Sequence, residues 1–231
     1  MNKILERLKN KLIVSCQSEE GDPFNSPEYV TLFAKAAIMG GATGIRSEGF
    51  FKTKMIVENV DVPVIGLIKS HYEDGFVRIT GSFADVEKLI ETKCHIIAVD
   101  GTFRLREGVT GPNFIKEIKK RYNVLVMADI STYEEGIACA KSGADCISTT
   151  LSGYTPETKH LSKDKPDIKL VSDLTKNISI PVIAEGKLNK PEYAAEALKA
   201  GAWACVVGTA ITRPRIITQW YIDAINNVKE N

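Results

Sequence analysis

No run of the 231 residues approaches the roughly 18 consecutive apolar residues that a membrane-crossing helix needs, so no membrane partner is expected. Charge of one sign is also missing. The 30 Lys and Arg stand against 29 Asp and Glu, a net charge of +1, which leaves no global basic field to hold nucleic acid. Five cysteines (Cys16, Cys94, Cys139, Cys146 and Cys205) are odd in number and scattered, with no C-x-x-C pair. That excludes a disulfide framework and a zinc knuckle, and it fits a reducing cytoplasm. The chain contains neither G-x-G-x-x-G nor a Walker pattern, and His71, His95 and His160 lack metal-ligand spacing. No metal and no nucleotide are therefore expected. The first residues, Met1 to Leu8, are charged and amphipathic, without the apolar stretch of a signal peptide; they read as a short helix closing one end of the fold. The lysine-rich stretch 159–169 (Lys159, Lys163, Lys165, Lys169) is interrupted by Asp164 and Asp167 and reads as a solvated loop and helix start.

What the chain does have is alternation. Short, β-branched apolar runs at 12–16, 43–45, 64–68, 96–99, 124–128, 146–148, 181–184 and 204–207 read as strands covered on both faces. Between them, residues 29–39, 51–58, 83–91, 114–122, 133–141, 168–176, 192–199 and 216–228 carry apolar side chains three and four apart, as amphipathic helices do. Strand–helix alternation means a parallel sheet. Eight such units predict a single domain over 1–231, a (β/α)8 TIM barrel of the phosphate-binding type. A doubly wound open sheet is the rival.

Three features favour closure. Gly41-Ala42-Thr43-Gly44-Ile45 with Val62-Pro63-Val64-Ile65 is echoed by Gly143-Ala144-Asp145-Cys146-Ile147 with Ile180-Pro181-Val182-Ile183, a half-barrel repeat. Helix-to-strand connections are tight and carry Gly, whereas the strand-to-helix loops 17–26, 70–78, 100–112 and 149–167 are long and share one face. Strand ends also carry polar side chains in turn: Gln17, Arg46, Lys69, Asp100, Asp129, Thr149 and Thr150, Glu185, then Gly208-Thr209. In a barrel these ends form one ring at the mouth where barrel enzymes keep their chemistry. A single such residue, Asp129 or Thr149 for instance, also suits a loop anchor or helix cap.

Lys69 and Glu185 are different, because each directly abuts a long apolar run and so needs a partner or ligand. Their strands, third and seventh of eight, face each other. That places one proton carrier on each side of a bound carbon, the arrangement an epimerisation requires. A strand-end lysine in a barrel is equally the mark of a Schiff-base aldolase or lyase, and a non-catalytic sugar-phosphate-binding protein is a further reading. Glu185-Gly186-Lys187 and Gly208-Thr209-Ala210-Ile211-Thr212-Arg213-Pro214 follow the last two strands, where barrels commonly cradle a phosphate on Gly amides and a short helix. Arg213 offers a bidentate clamp.

Val14-Ser15-Cys16-Gln17, Gly44-Ile45-Arg46, Val64-Ile65-Gly66-Leu67-Ile68-Lys69, Met127-Ala128-Asp129-Ile130, Gly153-Tyr154-Thr155, Val182-Ile183-Ala184-Glu185-Gly186 and Val206-Val207-Gly208-Thr209-Ala210-Ile211-Thr212-Arg213-Pro214 run in register over most of the chain. Together they resemble the bacterial N-acetylmannosamine-6-phosphate 2-epimerases. The resemblance implies interconversion of N-acetylmannosamine 6-phosphate and N-acetylglucosamine 6-phosphate at C2, in amino-sugar and sialic acid breakdown, without cofactor or metal. It implies catalysis by Lys69 and Glu185, substrate contacts at Gln17, Arg46, Asp129 and Arg213, and phosphate held at Gly186, Gly208 and Thr209. The chain departs from the family pattern at Ser47 to Phe51, at Ser70-His71, at Ser152 and at Thr209. The last helix, with Trp220 and Tyr221, is expected to pack inward on the barrel, with a homodimer face as the alternative.

Overall fold

The computed structural model describes residues 2–74, 76–162 and 164–229. Gly75, in the loop expected at 70–78, and Lys163, in the lysine-rich stretch, lie outside the described residues, as do Met1, Glu230 and Asn231. Eight parallel strands close on themselves: β1 (Lys11–Cys16), β2 (Gly44–Glu48), β3 (Val64–Leu67), β6 (Ile96–Asp100), β7 (Leu125–Asp129), β8 (Cys146–Ser148), β9 (Val182–Glu185) and β10 (Ala204–Val207). Their order round the barrel is β1-β10-β9-β8-β7-β6-β3-β2, and the register Lys11↔Ala204 closes it. The expected (β/α)8 barrel is present. Helices α2 (Pro27–Met39), α3 (Phe50–Asn59), α4 (Phe83–Glu91), α5 (Gly111–Arg121), α6 (Tyr133–Lys141), α7 (Ile168–Asn177) and α8 (Pro191–Lys199) connect the strands. Their starts follow local chemistry: Ser26 caps α2 ahead of Pro27, and Thr132 with Glu135 makes a capping box on α6.

Strand residues alternate between two apolar layers, which is why the runs read as continuously hydrophobic. Ile13, Leu67, Ala98, Met127, Cys146 and Ile183 point into the barrel, while Val14, Ile45, Val64, Ile97, Ala128 and Ile147 meet the surrounding helices. The period of two then fixes what reaches the mouth. Two residues beyond those inward side chains come Ser15, Lys69, Asp100, Asp129, Ser148 and Glu185. At the opposite end, α1 (Lys3–Glu6) and the turn after it seat Leu5 and Leu8 under the inner core, and the Trp203 indole donates to the Leu5 carbonyl at 2.8 Å. The N-terminal segment therefore plugs the barrel as expected.

Two elements correct the sequence reading. The loop expected at 70–78 contains an antiparallel hairpin, β4 (Lys69–His71) and β5 (Val77–Ile79), with Lys69 opposite Ile79. Thr80 ties it down, donating its N–H to Ile68 O at 2.6 Å and accepting from Ile68 N on Oγ1 at 3.2 Å. The last helix, α10 (Pro214–Lys229), follows the short α9 (Thr209–Thr212) and packs chiefly against it, so Trp220 and Tyr221 do not turn inward. Trp220 is 37% and Tyr221 70% exposed, and Ile222, Ile225 and Val228 are uncovered beside them. On α2, which packs against β1 and α3, Tyr29 and Leu32 are uncovered too. Among the described residues no helix is long and apolar enough to cross a membrane.

Candidate active site

The mouth holds a cavity of about 510 Å³, ordinary for a small-molecule site. Gln17, Arg46, Lys69, Glu185, Gly186, Gly208, Thr209 and Arg213 all line it. The barrel thus gathers these residues from five strand ends, Gln17 and Arg213 being almost two hundred positions apart in the chain. Asp129 does not line the cavity: it is 0% exposed, beneath Arg46.

The floor is an ionic cluster spanning the barrel. Arg46 rises from β2, 1% exposed, and reaches across to β7 and β9. Its Nη1 and Nη2 meet Asp129 Oδ1 at 3.0 Å and Oδ2 at 2.5 Å, a two-pronged pair. Nη1 also donates to Glu185 Oε2 at 2.8 Å. Thr150 Oγ1 lies between the two carboxylates, 2.7 Å from Asp129 Oδ1 and 3.1 Å from Glu185 Oε2, with one proton to share between them, and Ser148 Oγ reaches Oε2 at 3.3 Å. Burial by itself would lower the guanidinium pKa, but Asp129 and Glu185 together hold it above its usual range.

Glu185 takes the opposite consequence of the same burial. Withdrawal from water raises its pKa to about 7, with Asp129 pushing the same way and Arg46, Thr150 and Ser148 opposing. Thr149, on the outward parity, clamps the Glu185 backbone instead: its Oγ1 donates to Glu185 O at 2.9 Å and accepts from Glu185 N at 3.1 Å. It is the loop anchor that its position allowed.

Lys69 stands on the facing wall at the start of the hairpin. Its side chain reaches solvent, yet the walls of the mouth strip enough water to lower its pKa, and Arg213 and Arg46 lower it further against Glu48 and Glu19. Its ammonium makes no hydrogen bond or ion pair to any described residue. Because β3 and β9 are diametrically opposed in the ring, Lys69 and Glu185 face one another across the cavity.

The third wall suits an anion. Gly186 sits at φ +103°, open only to glycine without strain, and Lys187 follows at φ +58°. Gly208 precedes α9, whose first amides have no acceptor within the helix, and Gly208 and Thr209 both line the cavity. Arg213 stands at the rim with Nη1 on Glu19 Oε1 at 2.5 Å. Gln17 donates to Ser15 Oγ at 2.8 Å. Among the described residues no three His, Cys, Asp or Glu side chains are grouped to hold a metal ion.

Ser148 is buried beneath the cavity, and four further residues of the mouth carry little signal in the sequence. Ser148 lies two positions past inward-facing Cys146, so the period of two was enough to find it. Phe76, Val77, Ile79 and Arg104 enter the cavity through the hairpin and the loop after β6, and neither has a periodicity to follow.

The family profile described as "Putative N-acetylmannosamine-6-phosphate epimerase" (NanE) matches residues 30–227. A protein of Caldanaerobacter subterraneus subsp. tengcongensis named "Putative N-acetylmannosamine-6-phosphate 2-epimerase" is 48% identical over 224 residues, covering 96% of this chain and 94% of that one. One of the same name from Clostridioides difficile is 45% identical over 222 residues, covering 96% and 99%. The solved structure of the N-acetylmannosamine-6-phosphate 2-epimerase from Clostridium perfringens superposes with a TM-score of 0.90 at 42% identity, covering 96% of each chain.

Proposed function

The chain belongs to the NanE family of N-acetylmannosamine-6-phosphate epimerases, and we propose that Lys69 and Glu185 carry its reaction as paired proton carriers. The reaction interconverts N-acetylmannosamine 6-phosphate and N-acetylglucosamine 6-phosphate in amino-sugar and sialic acid breakdown. The finer assignment is an N-acylglucosamine-6-phosphate 2-epimerase, acting in the cytoplasm on a small sugar phosphate. The observation that carries it is the placement of Lys69, just past the end of β3, and Glu185, at the end of the opposed β9, with an anion cradle beside them.

The sugar opens to its aldehyde, and the C1 carbonyl acidifies the C2 proton. One member of the pair takes that proton and leaves an enolate; the other delivers a proton to the opposite face of C2. The reverse reaction exchanges the two roles. Each direction starts from a pair holding one proton, on Glu185 in one case and on Lys69 in the other. With ordinary pKa values the form with neutral lysine and protonated glutamate would be very rare. Raising Glu185 from 4.5 to about 7 narrows that gap by about 3 kcal/mol, and the lowered Lys69 narrows it further. Arg46 lines the floor beneath the reacting carbons and stabilises the enolate charge, while Asp129 holds Arg46 in place. Gly186, Gly208, Thr209 and Arg213 receive the phosphate, with Arg213 leaving Glu19 to do so, and Gln17 meets a sugar hydroxyl.

Incubating the purified protein with N-acetylmannosamine 6-phosphate and following it by NMR yields N-acetylglucosamine 6-phosphate on this reading. A stable lysine adduct after borohydride reduction, with the sugar cleaved, would instead establish the lyase reading.

The uncovered apolar residues of α10 and α2 support a homodimer in which a second copy of the chain covers them. Sedimentation equilibrium then gives twice the 25.4 kDa chain mass, and a Tyr221→Asp, Ile225→Asp variant shifts toward monomer. A monomer at micromolar concentration would refute the dimer.

A further inference from the structure

Arg104 and Lys187 are cationic lining residues that the proton transfer and the phosphate cradle leave unused, and Lys187 already donates its Nζ to Ser152 O at 3.0 Å. Arg104 lies in the loop after β6, and β6 stands directly opposite β10 in the ring. Its guanidinium is 10% exposed and propped from behind, Nη2 on Asp100 Oδ2 at 2.9 Å and Nε on Thr102 Oγ1 at 3.1 Å. Asp100 has a second cation, Arg106, whose Nη2 reaches Oδ1 at 2.8 Å with both side chains 0% exposed. Arg106 already neutralises the buried carboxylate, so Arg104 brings a surplus donor. Its Nη1 donates to no described residue, and the side chain lines the cavity. Phe76, Val77 and Ile79 of the adjacent hairpin line the same wall, with the Phe76 ring centroid 5.9 Å from the Arg104 guanidinium carbon.

These positions order the substrate. With its phosphate on the β9 and β10 loops and C2 between Lys69 and Glu185, the part of the sugar beyond C2 points at the β6 loop and the hairpin. We infer that Arg104 and the apolar wall of Phe76 and Val77 form the subsite for the N-acyl group. Arg104 Nη1 donates to the acyl carbonyl oxygen, and the hairpin residues take the acyl methyl. This rests on the epimerase reading above and adds its selectivity for an acylated amino sugar. A fixed donor that loses its acceptor discriminates strongly, whereas an apolar wall discriminates by size alone.

Calorimetric titration with N-acetylglucosamine 6-phosphate and with glucose 6-phosphate, which keeps C1 and the phosphate but has no acyl group, separates the possibilities. In Arg104→Met the affinity for the acylated sugar falls about 10- to 100-fold while that for glucose 6-phosphate stays within about twofold. Equal losses for both ligands, or none for either, overturn the subsite. Should Arg104→Met fail to fold, Phe76→Ala decides. Its kcat/KM for N-propanoylmannosamine 6-phosphate relative to the N-acetyl substrate rises about fivefold or more, and an unchanged ratio overturns the inference. Native protein that turns over neither sugar overturns the epimerase reading itself, whereas native turnover with unaltered discrimination in both variants overturns the acyl subsite alone.

Discussion

Lys69→Met and Glu185→Gln each lower kcat for C2 epimerisation by about 10²- to 10⁴-fold, the range that a positioned acid or base supplies. Both variants fold. Lys69 has no partner among the described residues to strand, and glutamine keeps the shape and hydrogen bonds of Glu185 beside Ser148 and Thr150. The two losses are distinguishable. A variant that retains one base still removes and returns the C2 proton on one face, so it exchanges that proton of one epimer with solvent without inverting it. The two variants exchange opposite epimers. The native pH profile of kcat/KM is bell-shaped, because the working pair holds one proton. Activity falls as pH drops through about 7 and Glu185 joins Lys69 in being protonated, and it falls again above the lowered pKa of Lys69. Glu185→Gln removes the limb near 7. Exchange of both epimers by a single variant would contradict the two-sided assignment.

Arg46→Met destabilises the fold by about 3–5 kcal/mol, read from denaturant unfolding, because it leaves Asp129 and Glu185 buried without their cation. Arg46→Lys recovers only part, since an ammonium cannot span both Asp129 oxygens and still reach Glu185. Any activity left separates this cluster from a purely structural one. Arg46 holds the Glu185 pKa down and Asp129 pushes it up. The acid limb therefore moves to higher pH in Arg46→Met and to lower pH in Asp129→Asn. Two substitutions that broke only packing would leave the limb where it was.

Much of this was legible in the chain because barrels obey local rules. β-Branched runs buried on both faces gave all eight barrel strands, and Lys69 and Glu185 stood out as ions set against such runs. The hairpin was not legible: its strands are three residues each, and Lys69-Ser70-His71 has no apolar alternation. The Arg46–Asp129 pair joins residues 83 positions apart, and only closure of the ring shows that Arg46 spends its guanidinium on the barrel floor. The outward course of α10 has no local cause either, since its amphipathic pattern is the same whether the barrel or a second chain covers it.

The most direct test of the central claim runs the reaction in D2O with N-acetylmannosamine 6-phosphate and reads C2 by NMR. Two proton carriers on opposite faces predict N-acetylglucosamine 6-phosphate with deuterium at C2 from the first turnover. Product that keeps its original C2 proton would contradict the assignment of Lys69 and Glu185.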